Sequence, residues 1–261
     1  MKQRYIALLI STLFLAGCAS ARNPADPLEP LNRSIYKFND TVDKAVVKPV
    51  AQGYSKVMPD LGKMMVSNFF SNLDDVSVTI NDVLQLKLAQ AASDGMRFIV
   101  NSTVGVFGLI DVASMGPLEK HHEDFGQTLG KWGIGSGAYI ILPILGPSSV
   151  RDGIGLYVDS IPSPEQQITD MQVRNQVYLA EGINRRAGLL NQEKVLDDAM
   201  LDPYEFIRDA YLQRRMNLVH DGNLPRVKYD EEELDYEIAT PPINTASSPA
   251  SAPPMETVPA E

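Results

Sequence analysis

The sequence predicts a mostly α-helical protein with one large domain. Two observations carry this. Apolar residues recur at three- and four-residue steps through most of the chain, and strand signals are scarce. The patterning fills residues 26–223, and with 44% hydrophobic residues that stretch is long enough to bury a core.

Residues 1–17 read as a signal peptide. Lys2 and Arg4 are followed by the mostly apolar run Tyr5 to Ala16, which is shorter than the roughly 20 residues needed to cross a bilayer. The junction Leu15-Ala16-Gly17-Cys18 resembles a bacterial lipobox, in which cleavage leaves an acylated cysteine at the new N-terminus. Cys18 is the only cysteine of the chain, so no disulfide can form within it and lipidation is the simplest role for the thiol. Each buried CH₂ of the acyl chains contributes about 0.8 kcal/mol to anchoring. Ala19, in place of an aspartate, resembles an outer-membrane address. Residues 18–25 form a small-residue tether.

Helical spacing then begins with Leu31, Ile35, Phe38, Val42 and Val46, and Pro49 and Pro59 interrupt it. Asn72 is a suitable N-cap for a second stripe, Leu73, Val76, Ile80, Val83 and Leu84. Met96, Ile99, Val100 and Val104 form a third. Phe107 to Met115 is apolar apart from Asp111, and is read either as a helix apolar on more than one face or as a buried core element. Met171, Tyr178, Ile183, Ala187 and Leu190 fit a long helix. Asp202, Pro203 and Glu205 occupy N-cap, N1 and N3 of a final one, which runs through Ile207, Ala210 and Tyr211 towards Gly222. The best strand candidate is Ala138 to Leu145, although Pro143 breaks it and polar alternation is missing. Residues 224–261 are acidic, then rich in Pro, Ser, Thr and Ala, and this composition predicts a disordered tail.

The most unusual stretch runs from Phe125 to Pro147. It contains Gly126, Gly130, Gly133, Gly135, Gly137 and Gly146, and the single Trp132. Ile134, Tyr139, Ile140, Ile141, Leu142 and Pro143 lie among or beside them. Glycine permits tight turns and close backbone approach. Two readings stand: a mobile apolar element that enters a membrane or gates an acyl-chain path, or a glycine-rich hairpin buried in the core.

Cleavage would remove Lys2 and Arg4 and no acid. It takes the basic side chains from 23 to 21 against 33 acidic ones, a net charge of −12. That disfavours nucleic acid and electrostatic docking on anionic lipid, so membrane contact beyond the anchor must be hydrophobic. Catalytic signals are absent. His121-His122-Glu123-Asp124 lacks the spacing that puts metal ligands on one face, and reads as a solvated turn. Gly133 to Ala138 matches a relaxed dinucleotide fingerprint, but no βαβ unit surrounds it. Asp74-Asp75 and Asp197-Asp198 read as helix ends or solvated faces, and no nucleophile elbow exists. The chain is therefore expected not to be an enzyme and to need no cofactor or metal.

Ordered motifs from Asp26 to Arg214 resemble the MlaA (VacJ) family of outer-membrane lipoproteins. They are Asp26-Pro27-Leu28-Glu29, Leu31-Asn32-Arg33, Tyr36-Lys37-Phe38-Asn39, Val47-Lys48-Pro49-Val50, Ser67-Asn68-Phe69 with Asn72-Leu73, and Gly108-Leu109-Ile110-Asp111-Val112-Ala113. Phe125 to Gly130, Leu142-Pro143, Gly146, Arg151-Asp152, Asp202-Pro203-Tyr204, Arg208, Ala210-Tyr211 and Gln213-Arg214 complete the set. The resemblance implies a helical ring embedded in the inner leaflet of the outer membrane around an amphipathic channel. Misplaced phospholipids would pass through it to a periplasmic carrier, MlaC, and a trimeric porin would be a partner. It places the mobile hairpin in the glycine-rich stretch and a gating influence at Phe38 and Asn39. Asp40-Thr41 stands where some relatives carry a further aromatic. A scaffold for porins or peptidoglycan, a lipid hydrolase and an adhesin are the rival functions.

Overall fold

The structure, a computed structural model, describes residues 26–197 and 201–224. The signal segment, Cys18, the tether, Asp198 and residues 225–261 lie outside the described residues. Eight α-helices and one two-stranded sheet make up the described body.

Helix α1 (Glu29–Val42) runs through a π turn (Asp43–Val47) into α2 (Lys48–Val57). Pro49 does not end the helix as the sequence reading expected. It lies in the first turn after the π segment, whose wider winding absorbs the missing N–H. Pro59 acts as expected, with extended backbone before α3 (Asp60–Leu84). That 25-residue helix starts 12 residues before Asn72, which therefore lies mid-helix and is no cap. A tight link containing Leu86 at φ 62° turns the chain into α4 (Leu88–Thr103).

Phe107 to Met115 is neither a continuous helix nor a buried core element. Val106, Phe107 and Gly108 all have positive φ, which stops helical winding, and only Ala113–Met115 forms a 3₁₀ turn. Phe107 and Met115 are among the most exposed side chains of the body. Asp111 is held by Arg97 (3.0 and 3.1 Å) and Asn101 (3.0 Å).

The short α5 (Phe125–Lys131), capped by Asp124, leads to β1 (Tyr139–Leu142) and β2 (Gly146–Ser149). These pair antiparallel, Tyr139 with Ser149 and Leu142 with Gly146, so Pro143 lies in the connecting turn and does not break the strand. Then come α6 (Val150–Ser160), α7 (Met171–Asp197) and α8 (Pro203–Val219). The start of α8 is as its sequence predicts, with the Asp202 side chain accepting from the backbone N–H of Tyr204 and Glu205.

The packing inverts the usual pattern. Among the described residues only eight hydrophobic side chains are buried, four of them alanine, against nineteen polar or charged ones. On α3 the buried face is Asn72, Asp75, Ser77, Val78, Asn81 and Asp82, and on α4 it includes Asp94, Arg97 and Asn101. Ile80, Val83, Met96, Ile99 and Val104 from the two apolar stripes are exposed. The periodicity located the helices correctly, but the apolar face points outward. No described helix is long and apolar enough to cross a membrane.

Candidate functional site

A polar interior holds together only if its groups are partnered, because unpaired buried charge is costly. Here it is a chain of ion pairs. Asp75, fully buried, receives Lys120, with Arg97 4.0 Å away. Lys87 bridges Glu123 (2.7 Å) and Asp221 (2.5 Å). Arg215 joins Asp124 to Asp152. Burial pushes both of these carboxyls up, but Arg215, with Gln127 at Asp124 and with Arg151 and Tyr211 at Asp152, more than offsets it and they stay below the ordinary range. His121 to Asp124 is thus no solvated turn: its acids are drawn inward by Lys87 and Arg215. Asp75 is likewise no solvated-face residue, while Asp74 is exposed and Asp197 closes α7. Among the described residues no group of His, Cys, Asp and Glu is placed to hold a metal ion.

Two adjoining cavities of about 440 and 490 Å³ lie where α3 faces α7. They share Ser67, Asn184, Arg185 and Leu189. Met64, Ala187 and Leu190 give the first an apolar wall, and Phe70 does so in the second. Opposite these stand Lys63 in the first, and Asp74, Glu181, His122 and Arg214 in the second. The lining is amphipathic on the scale of one small ligand. Desolvation lowers the His122 pKa, with Lys120 adding to the effect. Sequence reasoning named Ser67, Asp74, His122 and Arg214 separately but did not bring them together, because they come from distant segments.

The glycine-rich segment lies elsewhere, and none of its residues lines either cavity. It is neither wholly buried nor wholly exposed. Tyr139 and Ile141 are buried against Tyr204, Ile35 and Tyr211, whereas Trp132, Ile134, Ile144 and Leu145 are exposed. Ile140 and Leu142 are half-buried. Trp132 donates its indole N–H to the Leu84 carbonyl at 3.2 Å and meets Phe125 edge-on. Gly133, Gly137 and Gly146 adopt the left-handed backbone. Gly126 and Gly130 instead make room, the first for Asp152 and Arg215 and the second for Val219 and Arg151.

Two asparagines of α1, two helical turns apart, clamp the hairpin edge. Asn32 donates to the Tyr139 carbonyl (3.0 Å) and accepts from the Ile141 N–H (2.9 Å). Asn39 does the same at the tip, with the Leu142 carbonyl (3.0 Å) and the Ile144 N–H (2.8 Å). Ile144 sits at φ 68°, beneath a bond from the Leu145 N–H to the Pro143 carbonyl, a strained turn for a β-branched residue. Phe38 beside it is exposed.

A family model described as MlaA lipoprotein matches residues 24–218. The chain belongs to the MlaA family. It is 36% identical over 233 residues to the "Intermembrane phospholipid transport system lipoprotein MlaA" of Escherichia coli (strain K12), covering 86% of this chain and 92% of that protein. The Haemophilus influenzae protein of the same description is 32% identical, covering 85% and 93%. A solved chain described as "Structural basis for maintenance of bacterial outer membrane lipid asymmetry" superposes with a TM-score of 0.67 at 34% identity, covering 74% of this chain and 98% of that one. The family motifs coincide with the groups that hold the body together: Asp26 and Asn32 by the hairpin, Asn72 and Asp111 at α4, and Asp152 in the Arg215 network.

Proposed function

We propose that this MlaA-family chain removes mislocalised phospholipid from the outer leaflet of the outer membrane and passes it inward. Cys18 anchors it by acylation after removal of residues 1–17, residues 18–25 are the tether, and residues 26–223 are the working domain. That domain rests in the inner leaflet and faces the periplasm, with residues 224–261 as a spacer. The single observation that carries the reading is the pairing of an amphipathic, open cleft between α3 and α7 with an apolar outer surface. Exposed apolar patches of this extent are unfavourable in water and suited to lipid.

The mechanism is passive. A headgroup cannot cross bare hydrocarbon cheaply, but beside polar walls it keeps its hydrogen bonds while the acyl chains follow an apolar surface. Phe125 to Pro143 forms the movable flank, and Phe38 and Asn39 set its position. A trimeric porin holds the protein in place, and the carrier MlaC receives the lipid. The chain itself performs no catalysis. The test is deletion followed by measurement of outer-leaflet phospholipid and of sensitivity to detergent with EDTA. Loss of the barrier, restored by the wild type but not by Ile99→Asp combined with Val104→Asp, is expected. An intact barrier in the deletion strain refutes transport and leaves the scaffold role.

A further inference from the structure

Asp74 on α3 and Arg214 on α8 both line the larger cavity. Their side chains are not joined to each other, and neither side chain has an ion-pair or hydrogen-bond partner among the described residues. Asp74 is also within electrostatic reach of Asp159 and Glu165, which have no ion-pair partner among the described residues, whereas the neighbouring cations are matched. Arg185 pairs with Glu181 at 3.1 Å, Lys120 with Asp75, and Arg215 with Asp124 and Asp152. His122 lies within electrostatic reach of both Asp74 and Arg214. Among the charged side chains that line this 490 Å³ space, Arg185 and Glu181 pair with each other, and Arg214 and Asp74 are left as one open cation and one open anion beside Phe70 and Leu189.

We propose that Arg214 and Asp74 form a receptor for a zwitterionic lipid headgroup, the phosphoethanolamine diester. This rests on reading the cavity as the phospholipid path. The planar guanidinium matches two phosphate oxygens, and the carboxylate matches a compact ammonium. A zwitterion replaces the water on both groups at once. A phosphatidylglycerol headgroup presents the same phosphate to Arg214 but only a neutral glycerol to Asp74, so the carboxylate gains no cation and the lipid is held less well. An Arg–Asp pair closed on itself would offer a lipid nothing.

The experiment uses the full-length acylated protein in detergent. It is equilibrated with mixed micelles holding equal phosphatidylethanolamine and phosphatidylglycerol, with diacylglycerol as the probe lacking a headgroup. Retained lipid is quantified by mass spectrometry. The wild type should enrich phosphatidylethanolamine over phosphatidylglycerol by about two- to fivefold, the factor expected of one water-exposed charge pair. Asp74→Asn should bring that ratio close to unity while total lipid is kept. Arg214→Gln should lower both phospholipids by a similar factor and leave diacylglycerol unchanged, with part of the loss recovered in Arg214→Lys. Both residues are exposed, so unaltered circular dichroism is expected. Excess inorganic phosphate should not displace the lipid. If it does, the site is a simple anion site and the proposal falls. Equal retention of the two phospholipids by the wild type, or a preference that survives Asp74→Asn, overturns the headgroup assignment but leaves the lipid path standing. Retention of no phospholipid at all overturns both.

Discussion

Replacing Asn39 by alanine should release the tip of the hairpin while sparing its base. The side chain supplies two hydrogen bonds, to the Leu142 carbonyl at 3.0 Å and from the Ile144 N–H at 2.8 Å. Bonds of this kind contribute about 0.5–1.5 kcal/mol each. Their joint loss therefore amounts to about 1–3 kcal/mol, a factor of about 5 to 150 in the local opening equilibrium. The strain at Ile144, φ 68°, acts in the same direction once the clamp is gone. Amide hydrogen exchange followed by NMR is the assay. The Ile144 amide should lose protection by that factor. The Ile141 amide, which donates to Asn32, should change little. Unchanged protection at Ile144 would refute the clamp, and equal loss at Ile141 and Ile144 would show that the hairpin opens only as a whole.

Three further outcomes test the interior. Arg215→Met removes the ion pair of Asp124 and leaves Asp152 to Arg151 and Tyr211, and should cost about 3–5 kcal/mol in denaturant melts at pH 7. The deficit should shrink at pH 5, because without Arg215 less opposes the upward push of burial on Asp124 and Asp152, so protonation relieves the mutant more than the wild type; an equal deficit at both pH values argues against the network. Burial, reinforced by Asp94 and Glu123, pushes the Asp82 carboxyl up to about 7. The native state then holds a proton that the unfolded chain releases near its ordinary pKa of about 4, so Asp82 withdraws stability as pH rises from there towards 7. Asp82→Asn should gain on the wild type between pH 5 and pH 8, and a pH-independent difference would contradict this. Gly155→Ala puts a Cβ 2.4 Å from the Gly126 nitrogen where α6 crosses α5, and a loss of about 1–3 kcal/mol is expected in thermal melts.

The helices were legible because amphipathic spacing marks winding regardless of which face is buried. The Asp202-Pro203-Tyr204-Glu205 start is purely local and was correct to the residue. What spacing cannot say is the medium. The stripe Met96, Ile99, Val100 and Val104 reads as a core face under the assumption of water, yet most of it is exposed. Asn72 looked like a cap because asparagine is usually excluded from the middle of buried helices. Here its amide reaches Ser102 at 2.9 Å, and Gly108 packs against its side chain. Asn39 was legible only as part of a family motif, and its partners lie more than 100 residues away. The cavity lining was illegible for the same reason: Asp74, His122, Glu181 and Arg214 meet only through tertiary packing.

The inverted interior also shapes how the protein should respond to temperature. The heat-capacity step on unfolding grows with newly hydrated hydrocarbon and shrinks with newly hydrated polar groups; ordinary domains show about 12–15 cal/mol/K per residue. In this body the buried side chains are mainly amides, carboxylates and guanidinia. Calorimetry should therefore find a step well below that range and a shallow stability curve, with little weakening on cooling.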